Sequence, residues 1–137
     1  MTGAPLVIDS SVAIKWLKPQ GERHVEAAEA LLDAHQAGDV SLHAPTHLRL
    51  EVMNALWSHH ASAQQITRAL SALRRLHITL VEPDEALLVH AAELSVQHKI
   101  TTYDAVFAAL AERLRCELVT DDHALAESGA CTVRQLG

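Results

Sequence analysis

Aromatic side chains are nearly absent from this chain, with two Trp, one Tyr and one Phe among 137 residues. Its core must therefore be built from Leu, Val, Ile and many Ala, a mix that favours closely packed helices. Cysteine is as scarce: Cys116 and Cys131 could pair in principle, but two cysteines in a chain with no export signal read as buried reduced thiols. No apolar run approaches the ~18 residues of a membrane span. Met1-Thr2-Gly3-Ala4-Pro5 has no basic start and Asp9 cuts the apolar stretch short, which excludes a signal peptide and makes a cytoplasmic protein the expectation. There is no glycine-rich phosphate loop and no serine or cysteine nucleophile pattern. Basic excess is lacking too, since the formal net charge of -6 argues against a protein that holds nucleic acid on a broad basic face. A small nuclease stays open, because cations bound to carboxylates invert the charge locally. Protonation of the ten histidines would reverse the sign, so the charge argument weakens at low pH.

What is present fits one domain over residues 1–137. Leu6 to Ile8 reads as a first strand, followed by a short helix capped by Ser10 or Ser11 that runs through Ile14, Trp16 and Leu17 and stops before Pro19. Ala27, Ala30, Leu31 and Ala34 give helical spacing from Arg23 to Ala37, with Gly38 as the stop. Ser41 to Ala44 is a second strand, Thr46 caps a helix to about His60, and Ser62 with Gln65 opens another to about Leu76 by a capping box. Ile78 to Val81 is strand-like, Asp84 begins a helix through Leu94, and Thr101 with Asp104 forms a second capping-box pattern ahead of Tyr103, Phe107, Leu110 and Leu114. Cys116 to Thr120 is a strand, followed by a short helix to Gly129 and a last strand from Thr132 to Leu136. Strands separated by one or two helices predict an α/β fold, a three-layer α/β/α sandwich around a mostly parallel sheet.

Two of these strands end in acid: Leu6-Val7-Ile8 leads into Asp9, and Leu118-Val119-Thr120 into Asp121-Asp122. In an open parallel sheet the carboxyl ends face one edge, where ligands bind, so acids closing separate strands can meet. Asp9 alone is equally well read as a helix cap, and one of Asp121 and Asp122 is expected to be one. Glu51 shares a narrow polar edge with Asn54 and Ser58 between an apolar side of Leu48, Val52, Ala55 and Leu56 and another of Leu50, Met53 and Trp57. That helix therefore reads as buried on two sides, and Glu51 as either an acid at a site wall or a solvated edge. Asp104 completes the capping box with Thr101 or faces a site. Four carboxylates in one pocket would repel strongly unless they shared a cation, and the simplest candidate is a divalent metal.

Other polar residues carry less. His43 and His47 are separated by Pro45 and cannot share the helical face that a zinc motif needs. His59-His60 reads as a solvent-facing helix end. Lys15, Lys18, Arg49, Arg74 and Arg75 could steer a phosphate backbone but are surface residues by default.

The acids and their surroundings resemble the PIN-domain nucleases, and among them the VapC-type toxins of bacterial toxin-antitoxin pairs. The resemblance covers essentially the whole chain: Val7-Ile8-Asp9-Ser10-Ser11, Glu51 with Asn54, Thr101-Thr102-Tyr103-Asp104-Ala105 with Leu110-Ala111-Glu112, and Thr120-Asp121-Asp122 with Leu125. It implies that Asp9, Glu51, Asp104 and Asp122 form an acidic site for one or two Mg²⁺ or Mn²⁺ ions, supported by Ser11 and Thr120, with Asp121 an outer ligand or a cap. His123 stands where such proteins commonly carry a lysine or arginine. The implied activity is endoribonuclease hydrolysis of RNA by a metal-activated water, and the implied partner is a small antitoxin. The apolar second face of the Glu51 helix suggests a homodimer. Three rivals remain. A metal-dependent phosphatase usually has a second aspartate where Ser11 stands, and a receiver-like phosphoacceptor needs an aspartate where the third strand ends in Glu82-Pro83. A PIN-like binding module without catalysis is the third, against which retention of all four acids speaks.

Overall fold

In the computed structural model, which describes residues 3–137, the apolar runs become strands β1 (Ala4–Ile8), β2 (Val40–Pro45), β3 (Thr79–Val81), β4 (Leu118–Thr120) and β5 (Val133–Gln135). Met1 and Thr2, used above only for the missing basic start, lie outside the described residues. All described pairings are parallel, in the order β3-β2-β1-β4-β5. The sheet is thus an open one that grows outward from β1 in both directions, which puts the topological switch between β1 and β4, the place where such sheets bind ligands.

Seven helices among the described residues connect the strands: α1 (Ser10–Leu17), α2 (Val25–Gln36), α3 (Leu48–Ser58), α4 (Ala63–Arg75), α5 (Glu85–His98), α6 (Thr102–Leu114) and α7 (His123–Glu127). The central one is α6, in which every residue from Ala105 to Ala111 is buried. Alanines at 105, 108, 109 and 111 let its backbone approach β1, β2 and β4, while Phe107 is among the largest fully buried side chains. Burying such a ring contributes on the order of 1.5–3 kcal/mol. Its outer side is covered by α5, and α1 and α2 touch β4 and β2.

The expected elements are present, with local differences at their starts. The cap of α1 is Asp9 rather than Ser10 or Ser11. The second helix begins at Val25, because His24 takes the left-handed backbone (φ 57°) and points its ring at Asp121 instead of entering the helix. Thr46 does not cap α3: its hydroxyl donates to Glu82 Oε2 at 2.8 Å, and the helix starts after His47 with no side-chain cap. Tyr103, which shares helical spacing with Phe107, is 65% exposed, since the buried stripe of α6 begins only at Ala105. Cys116 and Cys131 are unpaired and partly buried.

The capping box of α4 is complete, with Gln65 N–H donating to Ser62 Oγ and Ser62 N–H to Gln65 Oε1. Ser62→Ala should therefore cost about 1 kcal/mol of unfolding free energy in denaturant melts. Thr46→Ala, at the position where sequence alone places a cap, should cost clearly less; equal costs would contradict the capping seen here.

Candidate functional site

Asp9 stands where β1 runs out and α1 begins. Its backbone is extended (φ -107°), as an N-cap requires, and its Oδ1 accepts the Ser11 N–H at 3.1 Å. The register Val7 with Leu118 and Ile8 with Val119 continues one step further to set Asp9 beside Thr120. There Thr120 Oγ1 donates to Asp9 Oδ2 at 2.5 Å, and Ser11 Oγ donates to Asp9 Oδ1 at 2.5 Å. Each hydroxyl has one proton, committed to Asp9, and its lone pairs accept the next amides: Asp121 N–H on Ser11 Oγ at 2.8 Å and Asp122 N–H on Thr120 Oγ1 at 3.0 Å. The donor directions make this a cradle for an ionised carboxylate, although Asp9 is only 5% exposed.

Burial is the strongest influence on Asp9 and pushes its carboxyl up to about 6; the Ser11 and Thr120 bonds oppose this, and the charges of Asp104 and Asp122 add to it. Glu51 enters from α3, where Ser10 Oγ donates to its Oε1 at 2.9 Å, yet burial together with Asp104 and Asp9 pushes it up to about 7. Asp104 lies in the first turn of α6. Its N–H donates to Thr101 Oγ1 (3.1 Å), while burial and the Asp122 charge raise its carboxyl against the opposing influence of the Thr101 hydroxyl and His47. Asp122 caps α7 by accepting Leu125 N–H at 3.1 Å, and its charge presses on both Asp9 and Asp104. The charges of Asp9, Glu51, Asp104 and Asp122 thus act on one another, with Asp9, Glu51 and Asp104 withdrawn from solvent and Asp122 exposed.

Ser10, His47, Leu50, Glu51, Asn54, Ala55, Tyr103 and Asp104 line an open cleft of about 640 Å³. Sequence reading missed His47, Tyr103 and the role of Ser10 here. His47 donates its Nε2–H to the Tyr103 carbonyl at 3.1 Å and sets its ring edge against Phe107, and burial holds its pKa below the ordinary value. A spacing signal existed for it, since His47 precedes Glu51 by one helical turn.

Three expectations are corrected. Asp121 is not the cap: its carboxylate is bound by Lys15 Nζ at 2.9 Å and His24 Nδ1 at 2.9 Å, and Asp122 is the cap. Lys15 is no surface residue, being 2% exposed. The second apolar side of α3 is not buried in the monomer, where Leu50 is 66% and Trp57 68% exposed. His59 and His60 do lie in solvent.

Whether these residues suit a divalent cation is decided by their chemistry. Asp9, Glu51, Asp104 and Asp122 offer only hard oxygen donors, the set preferred by Mg²⁺, Mn²⁺ and Ca²⁺. Burial raises the carboxyls of Asp9, Glu51 and Asp104, and repulsion from neighbouring acids adds to it, as expected where anionic groups lack a counter-charge. Among the described residues no three His, Cys, Asp or Glu side chains close into a finished cage. The chemistry of the donor set fits such an ion, and the four acids come from four separate elements.

Known proteins resemble this chain in sequence and fold. A family profile described as PIN domain matches residues 6–129. Ribonuclease VapC3 of Pyrobaculum aerophilum is 34% identical over 130 residues, spanning 89% of this chain and 92% of that protein. Among solved structures, VapBC2 from Rickettsia felis, bound to a DNA fragment from its promoter, superposes with a TM-score of 0.76 at 11% identity, covering 97% of this chain and 99% of that one. The sarcin-ricin loop cleaving toxin VapC20 of Mycobacterium tuberculosis does so with 0.71 at 15% identity, covering 90% and 95%. These structures establish the shared fold, and together with the family profile and the sequence relative they show that the chain belongs to the PIN-domain family and is a homologue of the VapC ribonucleases.

Proposed function

We propose that this protein is a metal-dependent endoribonuclease, the toxin of a type II toxin-antitoxin pair, that hydrolyses RNA phosphodiester bonds. The observation that carries the reading is the set of mutually repelling carboxylates around a nearly buried Asp9. The name of the relative, a ribonuclease, supports the substrate class. Asp9, Glu51 and Asp104 would hold Mg²⁺ or Mn²⁺, and Asp122 would hold a second ion or orient the attacking water. A bound ion of this kind lowers the pKa of water and offsets charge on the phosphate. The chain's own contributions are positional. Ser11 and Thr120 keep both oxygens of Asp9 in place, Ser10 turns Glu51 toward the cleft, and the α6 turn presents Asp104. Asn54, at the cleft wall, offers an amide to the substrate. The 2′-hydroxyl is not needed as nucleophile, so preference for RNA rests on shape and base contacts. The phosphatase and receiver readings have no support in the site, because Ser11 is engaged with Asp9 and Glu82, exposed beyond β3, accepts from Thr46.

A nuclease acting on cellular RNA, in the cytoplasm as the composition suggests, has to be held in check. The VapBC and toxin-antitoxin complexes among the structural neighbours support a small antitoxin as the partner. An arginine from it would suit the four acids, because a guanidinium binds carboxylates with two parallel bonds. The exposed Leu50 and Trp57 are the surface for an aliphatic segment of that partner or for a second copy in a homodimer. Among the described residues no helix is long and apolar enough to cross a membrane.

Asp9→Asn and Asp104→Asn should each reduce RNA cleavage by more than the roughly 10–100-fold typical of an outer-shell change, with the fold retained by circular dichroism. Full activity of either variant would remove that residue from the site. EDTA should stop cleavage and Mg²⁺ or Mn²⁺ restore it, with 5′-phosphate and 3′-hydroxyl product ends; a 2′,3′-cyclic phosphate would refute attack by water.

Stability without metal should report the same crowding. Asp9 and Glu51 keep their protons to a higher pH when folded, about 6 and about 7, than when unfolded. Their contribution is therefore most favourable below the unfolded values and is lost as pH rises through the folded ones. Asp9→Asn should gain in Tm relative to the original protein as pH rises from about 4 to about 7; a gap independent of pH would contradict this.

Expression of the chain alone should arrest growth, and co-expression with a small neighbouring gene product should relieve the arrest and allow the two to co-purify. Normal growth with intact, soluble protein and no bound partner would point to a nuclease outside toxin-antitoxin control.

A further inference from the structure

One ionised side chain in the interior has no part in the chemistry above. Lys15 is 2% exposed and lies on the same face of α1 as Val12, where an apolar residue would ordinarily sit. A lysine in such a place is retained only if its charge is answered. Here it is answered twice, by Glu22 Oε1 at 2.8 Å and by Asp121 Oδ2 at 2.9 Å, and although burial opposes its charge, these partners hold the ammonium above its ordinary pKa. The other oxygen of Asp121 is taken by His24 Nδ1 at 2.9 Å. Burial pushes the Asp121 carboxyl up, but Lys15 and His24 more than offset this and keep it below the usual range.

This arrangement bears on a choice built into the sequence. Asp121 and Asp122 follow the same strand end, and both are oxygen donors within reach of the switch point between β1 and β4. The charges that press on Asp9 and Asp104 include that of Asp122, whereas the Asp121 carboxylate is paired with Lys15 and His24. At the same time the Asp121 amide donates to Ser11 Oγ, which donates to Asp9 Oδ1. The Asp121 backbone thus supports Asp9 while its side chain is held by Lys15 and His24.

We propose that Lys15 is a positioning residue that sorts the two neighbouring acids: with His24 it holds the Asp121 carboxylate outside the metal pocket, so that Asp122 alone supplies the acid from the end of β4 and the Asp121 amide stays on Ser11. The inference rests on the metal-site reading above. It deepens that reading by naming what keeps a fifth carboxylate from competing for the ion. Without Lys15 the pocket gains negative charge and an additional donor, so it should hold a cation more tightly while arranging it wrongly for cleavage.

The test is Mn²⁺ binding by calorimetry, RNA cleavage, and thermal unfolding without metal, on the full chain with Lys15→Met, Lys15→Arg, Asp121→Asn and the double variant Lys15→Met/Asp121→Asn. Lys15→Met should bind Mn²⁺ at least about threefold more tightly yet cleave at least about tenfold more slowly in kcat, with KM for RNA little changed. The double variant should recover both quantities, and Lys15→Arg should stay near the original protein, because each removes the stray charge or keeps it paired. A structural role alone cannot move affinity and turnover in opposite directions or be relieved by deleting Asp121. Lys15→Met with unchanged or weaker Mn²⁺ binding, or a double variant no better than the single, would overturn the proposal. If Lys15→Met does not fold, Asp121→Asn decides: Mn²⁺ affinity within about twofold supports the sorting, and a loss of about fivefold or more would make Asp121 a ligand and refute it. Absence of Mn²⁺ binding by the original protein would instead overturn the metal reading itself, and the sorting with it.

Discussion

The nearly buried carboxylate of Asp9 is the constraint to which the rest of the molecule is fitted. Taking such an ion out of water costs several kcal/mol even after relaxation. The fold offsets this with the Ser11 amide, the Ser11 hydroxyl and the Thr120 hydroxyl, two of them from α1 and one from the neighbouring strand. That solution makes the β1–β4 register indispensable, since a slip of one residue would set Val119 or Asp121 beside Asp9 and turn alternate side chains to the wrong face of the sheet. It also explains the small residues in α6, which bring a helix against β1 and β4 just where the pocket opens.

The acids do not have to give up ordinary structural work to take part in the site. Asp9 and Asp122 are both N-caps, and Asp104 opens a helix through its amide. Asp122 caps with Oδ1 alone, so its other carboxylate oxygen stays available for a cation. Reading such a residue as a cap or as a ligand presents a false choice, because a carboxylate has two oxygens and about four acceptor positions.

This overlap decides how much was legible in the sequence. The parallel α/β architecture could be read because it depends on local signals: apolar runs ending in Asp9 and Asp122, and helical spacing around Glu51 and Asp104. What could not be read depends on distant partners. Lys15 looked like a surface cation, since nothing local announces that Glu22 and Asp121 will close over it; the one available hint was a lysine on the apolar face with Val12. Thr46 has the right residue type for a cap, but Glu82 from the end of β3 captures its hydroxyl. Leu50, Trp57 and Tyr103 are apolar at positions that periodicity assigns inward, yet the protein's own core does not reach them. Hydrophobic spacing says which residues prefer burial, not which molecule buries them.

The bond between Thr120 and Asp9 joins positions 111 residues apart. No peptide released early from synthesis, and no fragment cut from either end past those strands, can close that cradle, however many of the acids it carries. Because the strand that completes the pocket follows β1 by more than a hundred residues, a growing polypeptide carries a dismantled site until β4 has emerged. Clearance is equally simple for the cell, since one proteolytic cut that lets β4 leave β1 opens the cradle without any residue of the site being touched.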